Sequence, residues 1–107
     1  MTKRIAIDFD GVIAKRHGIP REEEAFMLLQ PVEEAKDALR WMVDNGFEPY
    51  VSTNRNESDW EYITRWLEVK GFPKMDVTDR KLPDTFLYID DRALRFTNWM
   101  DVCKFLG

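Results

Sequence analysis

Residues 5–13 constrain the fold most strongly, because an apolar run ends there in two carboxylates and a glycine. Residues 3–8 have the near-continuous apolar pattern of a short β-strand that is covered on both faces. Asp8 and Asp10 follow one residue apart, directly before Gly11. A desolvated carboxylate is costly unless it is paired or bound to a cation. Two acids at this strand end therefore indicate either a capped loop or a functional site.

Three further segments have strand patterns, namely residues 47–51, a weak strand at 75–78, and 86–89. Pro49 argues against a fully paired central position for the first of these segments. Helical patterns separate the strands along the chain. This alternation predicts an α/β domain built on a parallel sheet.

Capping residues give the expected bounds of three helices. Pro31 opens the first full helix at a favoured first-turn position, and Gly46 ends it. A capping box that begins at Ser58 opens the second helix, which ends at Gly71. Asn98 is expected to cap a last amphipathic helix.

The segment around residues 12–30 is an insert between the first strand and the first full helix. Residues 21–24 are expected to form a charged, solvated turn. The apolar residues 26–29 belong either to the core or to a surface that binds substrate or a partner. His17 is either an exposed loop residue or a participant in the site, and the sequence leaves both readings open.

Composition narrows the classes of function. At 107 residues the chain forms one domain, and its net charge of −4 argues against non-specific nucleic-acid binding. Cys103, the single cysteine, lies in an apolar helical pattern and is expected to be a buried structural thiol. No apolar run approaches about 18 residues and no signal-peptide pattern is present, so we expect a soluble, cytoplasmic protein with no membrane partner.

Polar side chains collect at the ends of the predicted strands. Ligands of open α/β sheets bind beyond the carboxyl ends of the strands, so a parallel sheet brings these groups together. Clustered carboxylates repel one another unless a hard cation such as Mg²⁺ binds them, and Mg²⁺ commonly shares its oxygen ligands with a substrate phosphate. Cationic and hydroxyl groups are donors to an anionic phosphoryl group. The groups are Asp8, Asp10, Ser52, Thr53, Asn54, Arg55, Lys81, Asp90 and Asp91.

The order of these groups carries a family resemblance. The chain resembles the haloacid dehalogenase superfamily of phosphatases in four ordered motifs, namely Asp8-Phe9-Asp10-Gly11-Val12-Ile13, Thr53, Lys81 and Asp90-Asp91. The resemblance implies a three-layer Rossmann-like parallel sheet of about four to five strands. It also implies a single domain over residues 1–107, with a short flap in place of a full cap, and the activity of a Mg²⁺-dependent phosphomonoester hydrolase.

The resemblance also implies the roles of individual residues. Asp8 would attack phosphorus and form an aspartyl-phosphate, while Asp10 would protonate the leaving oxygen and then activate water. Asp8, the Asp10 carbonyl and Asp90 would hold Mg²⁺. Asp91 would bind a metal-bound water or position Lys81.

Substrate contacts are implied at the second and third motifs. Thr53 and Lys81 would hold the phosphoryl oxygens, with Asn54 and Arg55 beside them. Ser52 could replace Thr53, Lys70 or Lys74 could replace Lys81, and Arg55 either contacts substrate or is a surface charge.

The missing cap bears on substrate and partners. An open site implies a large phosphorylated substrate or a partner chain that closes it, and a homo-oligomer is one such arrangement. Two other functions stay open, namely removal of a terminal phosphate from a polynucleotide and non-catalytic binding of a metal, a phosphorylated ligand or a partner. The acidic balance weighs against nucleic acid.

Overall fold

The computed structural model describes residues 3–15 and 23–107. Its four strands are all parallel and lie in the order β3-β2-β1-β4. The predicted α/β class, with a Rossmann-like arrangement of helices on a parallel sheet, is confirmed. The elements in chain order are β1 (Lys3–Ile7), α1 (Glu23–Met27), α2 (Ala35–Asp44), β2 (Phe47–Ser52), α3 (Glu57–Val69), β3 (Val77–Thr78), β4 (Thr85–Ile89) and α4 (Trp99–Leu106).

The central strand β1 aligns the carboxyl ends of its two neighbours. Ile7 pairs with Val51 of β2 on one side and with Ile89 of β4 on the other. The Asp8 backbone N–H donates a hydrogen bond to the Ile89 carbonyl at 2.9 Å. The residues that follow these three strands therefore meet at one edge of the sheet, as the sequence predicted.

Pro49 occupies a position in β2 that does not require its missing N–H. It pairs with Ile5 of β1, whereas β3 pairs with β2 only at Val51 and Ser52. Beside Pro49, β2 therefore has a single described neighbour, which suits a residue that cannot donate to a second ladder.

The main core lies on the face of the sheet that carries Ile5, Ile7 and Val51. Helix α3 contributes Trp66, whose indole N–H donates to the Leu29 carbonyl at 3.0 Å. Rings stack around it because aromatic side chains bury large apolar areas. These contacts join the sheet, α3 and the segment after α1, and the rings involved are Phe9, Phe26 and Phe72.

The opposite face of the sheet is crossed by the loop 79–84, which connects β3 to β4 without a helix. The Leu82 N–H donates to the Tyr50 hydroxyl at 3.1 Å, and that hydroxyl lies 2.7 Å from Thr85 Oγ1. Tyr50 and Ala6, which pair across β1 and β2, are buried on this face. A thin loop thus takes the place of a crossover helix there.

The prediction that Pro31 opens a helix was wrong. Pro31 pairs with Ala14 as an isolated antiparallel bridge, and the Val32 N–H donates to the Ile13 carbonyl at 2.8 Å. Helix α2 begins at Ala35, after Glu34 has adopted a positive φ of 67°. Pairing with the segment that follows β1 therefore overrides the local preference of proline for a helix start.

Other helix bounds were partly right. The expected turn over 21–24 is wrong at its end, because α1 begins at Glu23, and residues 21–22 lie outside the described part of the chain. Ser58 lies inside α3, whose N-cap is Asn56. The helix stops before Gly46 and Gly71 are confirmed, and both glycines have a positive φ.

The last helix, α4, forms as predicted, with the Asn98 side chain accepting a hydrogen bond from the Asp101 N–H at 3.0 Å. The expected burial of Cys103 is wrong, because this thiol is exposed. Among the described residues, no helix has the length and apolar character needed to cross a bilayer.

Candidate functional site

Three carboxylates meet at the shared carboxyl edge of β1 and β4. Asp8 follows β1, and Asp90 and Asp91 follow β4. One oxygen from each lies within 4.8 Å of the others. Residues that are more than 80 positions apart in sequence are brought together because β1 and β4 are paired to their last residues.

The surroundings of Asp8 raise the pKa of its carboxyl. Burial of its carboxyl, and then the charge of Asp90, raise its pKa from 3.8 to about 6. Asp91 and Asp10 add smaller contributions in the same direction, and the Phe9 N–H, which donates to Asp8 Oδ1 at 2.9 Å, opposes them. Ionised Asp8 is therefore destabilised by its surroundings, as expected where a cation is meant to bind.

The donor set fits a magnesium ion. Mg²⁺ binds oxygen ligands at about 2.1 Å, so any two of its ligands are at most about 4.2 Å apart. The Asp8, Asp90 and Asp91 oxygens lie within 4.8 Å of one another, so small side-chain rotations would bring all three within reach of one ion. Asp90 and Asp91 are exposed, which leaves room on the solvent side for water or a phosphate oxygen. The predicted ligands Asp8, Asp90 and Asp91 thus come together, whereas the Asp10 carboxylate belongs to a different contact.

Asp10 is held by Arg55 through two hydrogen bonds. Arg55 Nε donates to Asp10 Oδ2 at 2.8 Å, and Nη2 donates to Oδ1 at 2.7 Å. Bidentate pairs of this kind fix orientation as well as charge. Both oxygens of the predicted general acid are therefore engaged, on a side chain that is a quarter exposed.

Arg55 itself is nearly buried, with 6% of its side chain exposed. Its guanidinium carbon lies 5.0 Å from the centre of the Phe26 ring, and Nη1 lies 3.8 Å from Asp59 Oδ2. Nη1 is buried and makes no hydrogen bond within the described part of the chain. The surface-charge reading of Arg55 is therefore wrong. No sequence signal indicated this, because the pair spans 45 positions.

Ser52 and Thr53 are the two candidates for the phosphate-binding hydroxyl of the second motif. Thr53 is buried, and its Oγ1 accepts a hydrogen bond from the Arg55 N–H at 3.1 Å. Val51 of β2 pairs with Ile7 of β1. Ser52, the residue after Val51, is therefore level with Asp8, the residue after Ile7. Because side chains alternate along a strand, this register places Ser52 on the same face as Asp8. Thr53 stays a prediction, and the register favours Ser52.

Lys81 and Asn54 lie at the margins of the site. Lys81 is exposed on the loop 79–84, and its Nζ is 5.5 Å from the centre of the Tyr88 ring. Tyr88 precedes Asp90 by two residues, so the ammonium group lies over the strand that leads into the cluster. Asn54 is exposed directly after Thr53. His17 lies outside the described residues.

A groove of about 510 Å³ lies elsewhere, between α3 and residues 72–77. Its walls include Trp60, Leu67 and Met75, and of the candidate site residues they contain only Lys74, the alternative to Lys81. Carboxylates with a metal-binding spacing are a better indication of chemistry than volume alone. We therefore place the candidate site at the sheet edge.

Comparison with known proteins supports the fold. No protein-family model and no curated protein matches this chain. A conserved protein from Bacteroides thetaiotaomicron is similar in structure, with a TM-score of 0.66 and 17% identity, over 99% of this chain and 90% of that one. A crystal structure from Vibrio cholerae is also similar, with a TM-score of 0.59 and 24% identity over 96% of this chain and 95% of that one. Both solved structures share the fold of this chain.

Proposed function

We propose that this chain is a Mg²⁺-dependent phosphomonoester hydrolase of the haloacid dehalogenase type, without a full cap. The convergence of Asp8, Asp90 and Asp91 within 4.8 Å at the carboxyl edge of a parallel sheet carries this proposal. Asp8, Asp90 and Asp91 would hold Mg²⁺, which neutralises their charge and polarises the phosphoryl oxygens when bound. A cytoplasmic location and a large phosphorylated substrate stay predictions.

Asp8 is the nucleophile in this proposal. The Phe9 N–H holds its Oδ1, which leaves Oδ2 without a hydrogen bond among the described residues. Oδ2 would attack phosphorus, so that a phosphorus–oxygen bond to Asp8 forms as the bond to the leaving alcohol breaks. Water would then displace the carboxylate, releasing inorganic phosphate and restoring Asp8.

Asp10 would supply a proton to the leaving oxygen and later accept one from water. The Arg55 guanidinium occupies both Asp10 oxygens, so this carboxyl must rotate or exchange a hydrogen bond before it can carry a proton. Arg55 is thus a positioning residue, and its contact with Asp10 fixes the orientation of the Asp10 carboxyl before substrate binds.

Metal removal tests the proposal directly. We expect the protein to hydrolyse an aryl phosphate with Mg²⁺, to lose that activity in EDTA, and to regain it when Mg²⁺ is restored. Asp90→Asn should raise the half-saturating Mg²⁺ concentration by about tenfold or more, since even residues that only hydrogen-bond to a metal ligand typically contribute about 10- to 100-fold to metal affinity. Asp76→Asn, an exposed acid away from the cluster, is the matched control. Undiminished turnover in EDTA would rule the mechanism out.

The hydroxyl that binds phosphate can be identified by two alanine variants. Ser52→Ala should raise KM for the aryl phosphate by roughly 10-fold or more, because a charge-assisted hydrogen bond contributes about 1.5–3 kcal/mol. Thr53→Ala should instead lower the melting temperature, because the buried Oγ1 accepts the Arg55 N–H. Thr53→Ser is the control that keeps this hydroxyl. A larger KM effect for Thr53→Ala would assign the role to Thr53.

The engaged Asp10 favours a second candidate, a domain that binds Mg²⁺ and a phosphorylated ligand without turnover. A carboxylate with both oxygens bound to a guanidinium suits binding more readily than proton transfer. Titration with beryllium fluoride and Mg²⁺ separates the two functions. Binding that needs Asp8, together with no turnover of any ester tried, would support the second candidate.

A further inference from the structure

Among the described residues, no other helix or strand packs against the C-terminal helix α4. It follows β4 through residues 90–98, which contain neither helix nor strand and are exposed throughout. None of its residues is buried, and Leu106 is 80% exposed. Six of its eight residues are apolar, on more than one side of the helix. A short helix that is apolar nearly all round is stable only where other elements cover it.

Strand β4 also has apolar side chains that no other element covers. It is an edge strand, and its three middle residues are all exposed, with Phe86 at 58% and Tyr88 at 47%. In the part of the chain that the structure describes, the ammonium groups of Lys3 and Lys81 lie over these two rings, at 4.7 Å and 5.5 Å from their centres. An uncovered apolar edge strand is a site at which another chain can pack.

The chain exposes more surface than a compact monomer of its mass, and the uncovered α4 and β4 contribute to that excess. The chain exposes 7955 Å², whereas a compact monomer of this mass exposes about 6,300 Å². The radius of gyration is 14.9 Å, against about 13 Å for a compact domain of this length. The excess of about 1,700 Å² per chain, or about 3,400 Å² for two, lies within the range of obligate homodimers.

We propose that two copies of this chain form a dimer in which α4 of each protomer packs against β4 of its partner. Exchange of this element satisfies both uncovered surfaces at once and closes under two-fold symmetry. It also brings the two copies of α4 into one interface, where apolar side chains on more than one side of the helix are covered. Residues 90–98 act as the hinge.

Light scattering on the full chain tests the mass. We expect a dimer of twice 12.8 kDa that persists on dilution into the micromolar range. Leu106→Asp and Phe86→Asp should each give a monomer, because one places a charge on the helix and the other on the strand. Val69→Asp, an exposed apolar position on α3, is the control and should remain dimeric. Circular dichroism confirms that each variant is folded.

Cys103 reports on the same contact, since its thiol is exposed when α4 is uncovered. Its reaction with a thiol reagent should be at least about tenfold slower in the wild-type dimer than in Leu106→Asp, because access then requires local opening. A wild-type monomer would overturn the proposal, with a slow thiol indicating that α4 folds back on its own β4. A dimer that survives Leu106→Asp or Phe86→Asp would overturn it too.

Discussion

Asp8→Asn should abolish hydrolysis of an aryl phosphate, with a loss in kcat on the order of 10³-fold or more, because the amide cannot form an acyl phosphate. The same variant should be more stable than the wild type in EDTA at pH 7.5. Burial and the charge of Asp90 raise the Asp8 pKa to about 6, so ionised Asp8 destabilises the folded chain and the neutral amide does not. Loss of activity with a gain in stability is the signature of a functional acid.

The pH dependence gives this prediction its sign. The folded pKa lies above the ordinary 3.8, so the folded chain binds the Asp8 proton more tightly than the unfolded chain does. The contribution of the Asp8 carboxyl to the free energy of unfolding is therefore fully present below about pH 4 and is lost as the pH rises through about 6. The melting temperature of Asp8→Asn relative to wild type should rise over that window and then level off. The assignment would be contradicted if the difference in melting temperature between Asp8→Asn and wild type were the same at pH 4.5 and pH 7.5. Equal activities of the two proteins would contradict it as well.

Arg55→Met should cause the largest loss of stability among the charged positions discussed. The change leaves Asp10 without its bidentate partner, and breaking a buried pair costs about 3–5 kcal/mol. Asp10 is a quarter exposed, so water compensates in part and we expect about 3 kcal/mol. Urea unfolding at constant pH measures this difference.

Arg65→Met is the matched control, because Arg65 is exposed and lies 3.6 Å from Glu61 one turn away on α3. Its cost should stay within about 0.5 kcal/mol. A double-mutant cycle with Asp10→Asn isolates the contact, and the two changes together should cost clearly less than their sum. Additive costs, or an Arg55→Met effect as small as that of Arg65→Met, would show that the pair contributes little.

The sequence predicted the strands and the chain order of the site well. Apolar runs at β1 and β4 and the acids that follow them are local signals, and strand pairing then brings Asp8 to Asp90 without further information. Helix ends marked by Gly46 and Gly71 were equally local, since a positive φ favours glycine.

The errors have a common physical cause, which is contact between distant segments. Pro31 does not open a helix, because its neighbours pair with the segment after β1. Arg55 is buried because Asp10, 45 positions away, accepts its hydrogen bonds. Cys103 was expected to be buried and is exposed. A helical pattern indicates which side of a helix is apolar, but it does not indicate whether another element covers that side. Periodicity within a window contains no information of these three kinds.

The central place of β1 has a consequence for synthesis on the ribosome. Of the four described strands, β1 emerges before the other three, yet one of its edges gains its partner only when β4 has left the exit tunnel. Until then an apolar strand has an unpaired edge, which is a point of risk for association between nascent chains. The three carboxylates also remain apart until Asp91 emerges. The chain can therefore bring these three carboxylates together only after Asp91 has emerged and β4 has paired with β1.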